Sequence, residues 1–450
     1  MYRNKSKLIA RLGYTLIILI ICVSSVAAQQ PTTIDLPGAI RMALEKNENY
    51  QVALQEVEKA DARIKEAVSG ALPQISGDVT YMRNWEVPST VIQFGNEVQT
   101  LKIGATNNFT AALTLTQPIY AGGRTGSALK IAGFAKHYSR EALVQARQEL
   151  KIQVYNGFYG ALLAEQVLKV NQEAQELAQE NLDLVQKMFN QGMSAEFDYL
   201  RAQVAVANLQ PAVLKAKNDA QVASTALKNL LGMPLDSPIE IQSDLDSTKF
   251  ILPPIDPDAA KDEVLANRPE IKMSDFGNKI SKQLITIAGA GYRPSLYFST
   301  SLQYQRQYET GRPFGEKWGR STFSALALSV PIFDSWRTPS QVKQARIDYS
   351  EGLLRDEAIH KGMLLDFQQC LGSYLEARNR LSTQGDAVGL ARRGLDIANV
   401  RFENGVGTQL EISDARLSLS QAEINRAVAF HDLAVSYAAL LRSLGRDINP

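Results

Sequence analysis

Histidine and cysteine are scarce in this sequence, at three and two among 450 residues. His137, His360 and His431 stand alone on helix-like stretches with no ligand at metal spacing, so no metal centre is expected. Cys22 lies in an apolar N-terminal run; if that run is removed, Cys370 is a single thiol and cannot staple the chain internally. Beyond Val23 no run reaches the roughly 18 apolar residues of a membrane-crossing helix, so any membrane span must be made of strands. An excess of one charge is lacking too. With 48 basic and 47 acidic residues there is no electrostatic case for a nucleic-acid partner. The glycine-rich Gly122-Gly123-Arg124-Thr125-Gly126 has no lysine of a phosphate loop, and no nucleophile pairs with a base. Neither an enzyme nor a cofactor is expected.

What is present begins at the N-terminus. Arg3, Lys5, Lys7 and Arg11 precede an apolar run from Leu12 to Val23, and small residues from Ser24 to Ala28 follow it. This is the pattern of a secretory signal peptide, residues 1–28, with an N-terminal membrane anchor as the alternative. Ile21 stands before Cys22 where a lipoprotein signal needs a small residue, so lipidation is not expected.

The rest of the chain is a duplication. Residues 113–132 and 326–345 match without a gap at nine of twenty positions, including Pro118/Pro331, Ile119/Ile332 and Arg124-Thr125/Arg337-Thr338. The offset of 213 holds through Phe189/Phe402, Gly192/Gly405 and Leu231-Gly232/Leu444-Gly445. Upstream, Asn47 to Pro73 matches Arg268 to Pro294 at an offset of 221, which places the length change in a hairpin loop, where it costs little.

Hydrophobic periodicity gives each half the same order. The first repeat, 29–232, reads as a helix over 35–70, strands over 74–83 and 108–118, and helices over 124–190 and 194–231. Ser194 is placed to cap the last of these, and Pro211 to kink it. A Pro-rich linker covers 233–257. The second repeat, 258–450, reads as a helix over 258–290, strands over 295–305 and 321–331, and helices over 337–403 and 408–444. A polar loop joins each strand pair; the second carries Arg306, Arg312 and Lys317. At 1.5 Å per residue the longest helices approach about 100 Å, more than a compact domain uses.

The strands alternate apolar with small or polar residues, as lipid-facing strands do. Four strands do not close on themselves, and membranes do not tolerate an open edge, so membranous strands require several chains. The fold class expected is mainly α with a membrane β-barrel part, built on a duplicated helix-hairpin-helix-helix unit.

The repeated L-x-L-x-x-P-I-aromatic run at Leu113–Tyr120 and Leu326–Phe333 carries a family resemblance. So do the F-x-x-G turns at Phe189/Gly192 and Phe402/Gly405, and Asn267-Arg268-Pro269-Glu270. From Leu36 to Gly445 the chain resembles the TolC-like outer-membrane efflux proteins. The resemblance implies a homotrimer in outer-membrane lipid, with a twelve-stranded β-barrel made of four strands per chain. A long periplasmic α-helical barrel continues it. It also implies a passive conduit in a tripartite efflux or secretion system, working with a periplasmic adaptor, the membrane fusion protein, and an inner-membrane transporter.

Carried over to this chain, the resemblance makes the turns at Phe189, Gly192 and Met193, and at Phe402, Gly405 and Val406, adaptor-docking tips; otherwise they are ordinary helix turns. It makes Glu411 and Asp414, and less directly Asp198, the acidic lining of a pore constriction rather than a solvated helix face. Phe402 lacks the hydroxyl of a tyrosine often found there, and Gly407 offers no basic side chain to tie neighbouring helices. Pro118 and Pro331 are expected as the hinge between barrel and helices. Nothing readable names the cargo. The reading from another class is an exported helical scaffold or adaptor protein without a pore, which would bury its strands in its own core.

Overall fold

The structure, a computed structural model, describes residues 32–95, 97–242, 247–309 and 318–448. The expected signal peptide, and Arg312 and Lys317 of the second hairpin loop, lie outside the described residues. In chain order the elements are β1 (Thr32–Ile34), α1 (Leu36–Lys46), α2 (Glu48–Ser69), β2 (Gln74–Arg83), β3 (Ser89–Phe94), β4 (Glu97–Lys102) and β5 (Asn107–Ala121). Then come α3 (Arg124–Asn190), α4 (Glu196–Leu230), β6 (Ile239–Ile241), α5 (Pro257–Asn267) and α6 (Pro269–Gly289). The chain closes with β7 (Ser295–Tyr308), β8 (Gly319–Ser329), α7 (Arg337–Glu403) and α8 (Gln409–Ser443). The duplication is kept in lengths: α3 and α7 have 67 residues each, α4 and α8 have 35 each.

Two helices expected as single pieces are broken, and at equivalent positions. Asn47 is extended between α1 and α2. Its side chain donates from Nδ2 to Leu230 O at 3.1 Å and accepts at Oδ1 from Tyr50 N at 3.2 Å, so one residue closes α4 and opens α2. At the twin position, Arg268 is extended between α5 and α6, the conformation that a following proline favours. Pro269 then serves as a first-turn residue, where its missing N–H costs nothing. By contrast α4 runs unbroken through Pro211.

The chain forms two spatial units, each drawing on both repeats. One gathers the described residues up to Gln51, then Ala146–Val264 and the chain from Leu365 on; the other gathers Val52–Gln145 and Leu265–Leu364. The first unit holds an aromatic core. Tyr155, Phe158 and Tyr159 of α3 meet Phe250, Tyr374 of α7, and Phe430 and Tyr437 of α8 in a chain of edge-on and tilted rings. The Pro-rich linker is less irregular than its sequence suggests, because β6 pairs in parallel with β1 and a 3₁₀ turn over Ser247–Phe250 delivers Phe250 into that core. Tyr374 donates from its hydroxyl to Phe250 O at 2.8 Å and accepts from Leu252 N at 3.0 Å, which holds the linker down.

The second unit holds a four-stranded antiparallel sheet in the order β2-β5-β7-β8. Register puts Gly77, Leu113, Leu302 and Thr322 side by side, and likewise Ile75, Leu115, Thr300 and Ser324. Since side chains alternate between faces, one face carries Ile75, Val79, Leu113, Leu302, Leu326 and Leu328. The opposite face carries Ser76, Thr80, Thr114, Ser301 and Gln303, with Thr114 and Ser301 hydroxyls hydrogen-bonded at 3.0 Å. Every residue of β2 and of β8 is exposed, so the edge strands keep one backbone side free. The stretch between β2 and β5 is not all loop: β3 and β4 form a small hairpin of their own. Among the described residues no helix is long and apolar enough to cross a membrane.

Candidate functional site: helix tips and strand–helix junctions

Both long helices end in the same turn. Gly192 and Gly405 adopt φ of +71° and +72°, which a glycine takes without steric cost. At the first tip Met193 N reaches back to Met188 O at 2.8 Å and Gly192 N to Phe189 O at 2.9 Å; at the second, Val406 N bonds Arg401 O at 3.0 Å and Gly405 N bonds Phe402 O at 2.9 Å. These paired bonds are the Schellman ending, and each leaves an apolar residue, Met193 or Val406, exposed just past the glycine. Phe189 stacks on Tyr199 with centroids 5.5 Å apart, tying α3 to α4 across the first tip.

The helices that leave the tips start differently. Thr408 caps α8 by accepting from Glu411 N at 3.3 Å. At the first tip the cap falls on Ala195, one residue beyond the expected Ser194, and no side chain caps α4 there. Glu196 and Asp198 supply the acidic first turn that suits a helix N-terminus.

Glu411 and Asp414 sit together, lining a groove between α7 and α8 with Arg401, Ala398 and Ala415. Arg401 spans the second tip: its Nε donates to Glu411 Oε2 at 3.1 Å and its Nη2 to Val406 O at 3.4 Å. Arg401 is expected only as the first residue of the second tip, 401–409, and not as a partner of Glu411. In sequence it reads only as a cation in the last turn of a helix, and nothing marks a partner ten residues on across a turn. Asp198 lies in the first turn of α4 and is not in that groove. Further along α8, Arg416 donates from Nη1 to Leu177 O of α3 at 2.9 Å, tying the two hairpins together.

The junctions differ from expectation in where they bend. Pro118 lies inside β5, at a register shift between Pro118 and Tyr120, and the chain turns at Gly122 and Gly123 with φ of +64° and +91°. A Cβ on Gly122 would meet Ala290 O at 2.9 Å, so the close approach also demands glycine. In the second copy β8 stops at Ser329, short of the expected 331 and two residues before Pro331; the turn falls at Ser335 and Trp336. No cluster of three potential metal ligands occurs among the described residues.

A sheet with one apolar face and two free edges, carried on a duplicated set of very long helices, belongs to a β-barrel channel subunit of the outer membrane. The chain belongs to the outer membrane efflux protein family, whose model matches residues 39–233 and 261–446. It is 22% identical over 413 residues to the cobalt-zinc-cadmium resistance protein CzcC of Cupriavidus metallidurans, covering 91% of this chain and 90% of that one. To the alkaline protease secretion protein AprF of Pseudomonas aeruginosa it is 23% identical over 420 residues, covering 89% and 82%. Its fold matches the crystal structure of the Campylobacter jejuni CmeC outer membrane channel with a TM-score of 0.76 at 19% identity, covering 91% of this chain and 85% of that one. The protein is an outer-membrane channel subunit of a tripartite efflux or secretion system, with a periplasmic helical part and no enzymatic role. That sets aside the scaffold alternative.

Proposed function

We propose that three copies close one conduit, the β8 edge of each chain pairing with the β2 edge of the next to give a twelve-stranded barrel. The observation that carries this is the sheet with two unpaired edges and one apolar face, since an open edge in lipid leaves backbone groups unbonded. In this reading residues 1–28 are removed on export, and 29–232 and 258–450 are two copies of one structural unit joined by 233–257. The tips at Phe189, Gly192 and Met193 and at Phe402, Gly405 and Val406 dock the helical hairpins of a periplasmic adaptor, the exposed Met193 and Val406 supplying the apolar contact. Glu411 and Asp414, with Asp198 as the equivalent of Glu411 in the first repeat, line the periplasmic constriction, and Pro118 and Pro331 mark the passage from barrel to helices. Substrates move passively, driven by the partner pump. The relatives' names speak of metal resistance in one case and protease secretion in the other, so cargo choice is assigned to the adaptor and pump.

The test is extraction and mass. A heat-labile trimer released from outer membranes only by detergent is expected; a monomer in the soluble periplasmic fraction would overturn the reading.

A further inference from the structure

The four sheet strands sort their charges by face and by end. They contain one carboxylate, Asp78, and three cations, Arg83, Arg306 and Arg320. Asp78 stands opposite Ala112, itself opposite Gln303, on the polar face. Register puts all three arginines on the other face, where Arg306 lies opposite Phe109, Arg320 opposite Tyr304, and Arg83 opposite Asn107. That is the face of Ile75, Leu113, Leu302 and Leu326, and the arginines occupy only its end remote from the helices. Arg83 is the last residue of β2, Arg320 the second of β8, and Arg306 lies two residues before the end of β7. An apolar face therefore carries three positive charges and no negative one, all at one rim.

These charges are not neutralised locally. Among the described residues none of the three arginines forms an ion pair, and Arg306 Nη1 is buried without a hydrogen-bond partner. A buried N–H left unbonded carries a desolvation cost that a bound acceptor removes. Aromatic rings place two of the three: the guanidinium of Arg83 lies 4.6 Å from the Trp85 ring and that of Arg306 5.5 Å from the Tyr308 ring. A ring against its face leaves the planar fork of N–H donors open at its edge. Arg306 and Arg320 are diagonal neighbours on paired strands, with backbones about 7–8 Å apart, and Arg83 is two strands from Arg306, about 10 Å across the sheet. One multivalent anion is within reach of all three.

Their depth says which anion. From Leu296 to Arg306 the strand advances about 34 Å, which at a tilt of about 45° is about 24 Å along the membrane normal, the height of a barrel's apolar band. Arg306 thus lies at the lipid–water boundary of the leaflet farther from the helices, where an arginine costs little and its head reaches the headgroups. A phosphate monoester carries about −1.5 to −2 charges at neutral pH and three acceptor oxygens. Two of them on one headgroup match three guanidinium forks in charge and in bidentate geometry, whereas the single charge of a phosphodiester does not.

We infer that Arg83, Arg306 and Arg320 form a binding site for a lipid whose headgroup bears phosphate monoesters, in the outward-facing leaflet of the membrane. The inference rests on the barrel reading above and adds a ligand to it. The detergent-purified trimer is titrated with diphosphoryl lipid A, with its dephosphorylated form and with phosphatidylglycerol, and bound lipid is counted by native mass spectrometry. The diphosphoryl lipid is expected to bind at least tenfold more tightly than either of the others, and R83Q/R306Q/R320Q to lose that margin while remaining a heat-labile trimer. Equal binding of the three lipids by the parent trimer would overturn the site, and so would a margin that survives the triple substitution. The comparison of lipids on the parent trimer decides the matter even where the variant fails to assemble. A parent trimer without the preference removes the site alone; a parent chain that gives no trimer removes the barrel reading, and the site with it.

Discussion

On the proposal that Glu411 and Asp414 line the periplasmic constriction, removing Arg401 should make that constriction more attractive to cations. Arg401 bonds Glu411 at 3.1 Å, with the two side chains 51% and 41% exposed. An exposed pair of this kind contributes at most about 1 kcal/mol to stability, so R401Q should remain folded. Its effect on the pore is larger than its effect on the fold, because each copy then presents Glu411 and Asp414 without a compensating cation, doubling the net negative charge of the ring. A divalent cation about 8 Å from an unmasked carboxylate gains about 1 kcal/mol in a water-like dielectric, and screening over one Debye length at 0.15 M leaves about 0.4 kcal/mol. Over the copies of a trimer that is roughly 1 kcal/mol, or a five- to tenfold tighter block. Block of single-channel current by a divalent or polyvalent cation in a planar bilayer measures it. R401Q should tighten block, and R401Q/E411Q should return it to the parent value or beyond. If D414N weakens block while R401Q leaves it unchanged, the masking of Glu411 by Arg401 is wrong even though the ring is right.

Leu113→Arg places a cation mid-strand on the apolar face and should cost about 2–4 kcal/mol of membrane stability, read as loss of the heat-labile oligomer from outer membranes. Gly405→Val forces a β-branched side chain to φ of +72° in open space, so it strains the tip by roughly 1–2 kcal/mol without a clash. It should reduce capture of the adaptor while leaving bilayer conductance intact. The Arg446 hydrogen bond holds the Glu263 carboxyl below its ordinary value of 4.5, with bonds of 2.7 and 2.8 Å. Because the folded value is the depressed one, this contribution to stability is full above the ordinary value and fades as pH falls through the folded value. Melting of the detergent-solubilised protein between neutral pH and pH 3 should therefore show a steeper acid loss in the parent chain than in E263Q.

Period-two and helical patterning were enough to locate all four sheet strands and the four long helices, because in each the apolar residues recur at one period over many positions. What the pattern missed is local. The break at Asn47 depends on a side chain reaching Leu230 O, a contact 183 residues away in sequence. The break at Arg268 was in principle readable, since the residue before Pro269 is steered out of the helical region. The parallel pairing of β1 with β6 involves three residues on each side, too few for any periodicity to register. At the site, the tip glycines were legible because only glycine suits a left-handed helix ending, whereas the Arg401–Glu411 pair had no sequence signature at all. At the junction the prolines are legible, whereas the left-handed pair that follows them is not, because the second copy carries it as Ser335 and Trp336.

Burial is divided unequally between the two spatial units, and this separates the consequences of mutation. Tyr155, Phe158, Phe367, Tyr374, Leu227, Leu231, Leu440 and Leu444 are fully buried, and all belong to the unit that holds the aromatic core. The sheet, in the other unit, exposes every residue of β2 and β8. A single chain in water therefore draws its packing energy from the helical core, where losing a phenylalanine such as Phe158 costs about 3–5 kcal/mol. The sheet gains comparable burial only from lipid and from the edges of other copies, and until then it presents the unpaired strands that favour wrong association. Core substitutions should accordingly lower the amount of folded chain, whereas strand substitutions should leave the helical unit folded and remove the assembled channel. The aromatic core of the helical unit is the packing that one chain supplies by itself, and closure of the barrel depends on other copies.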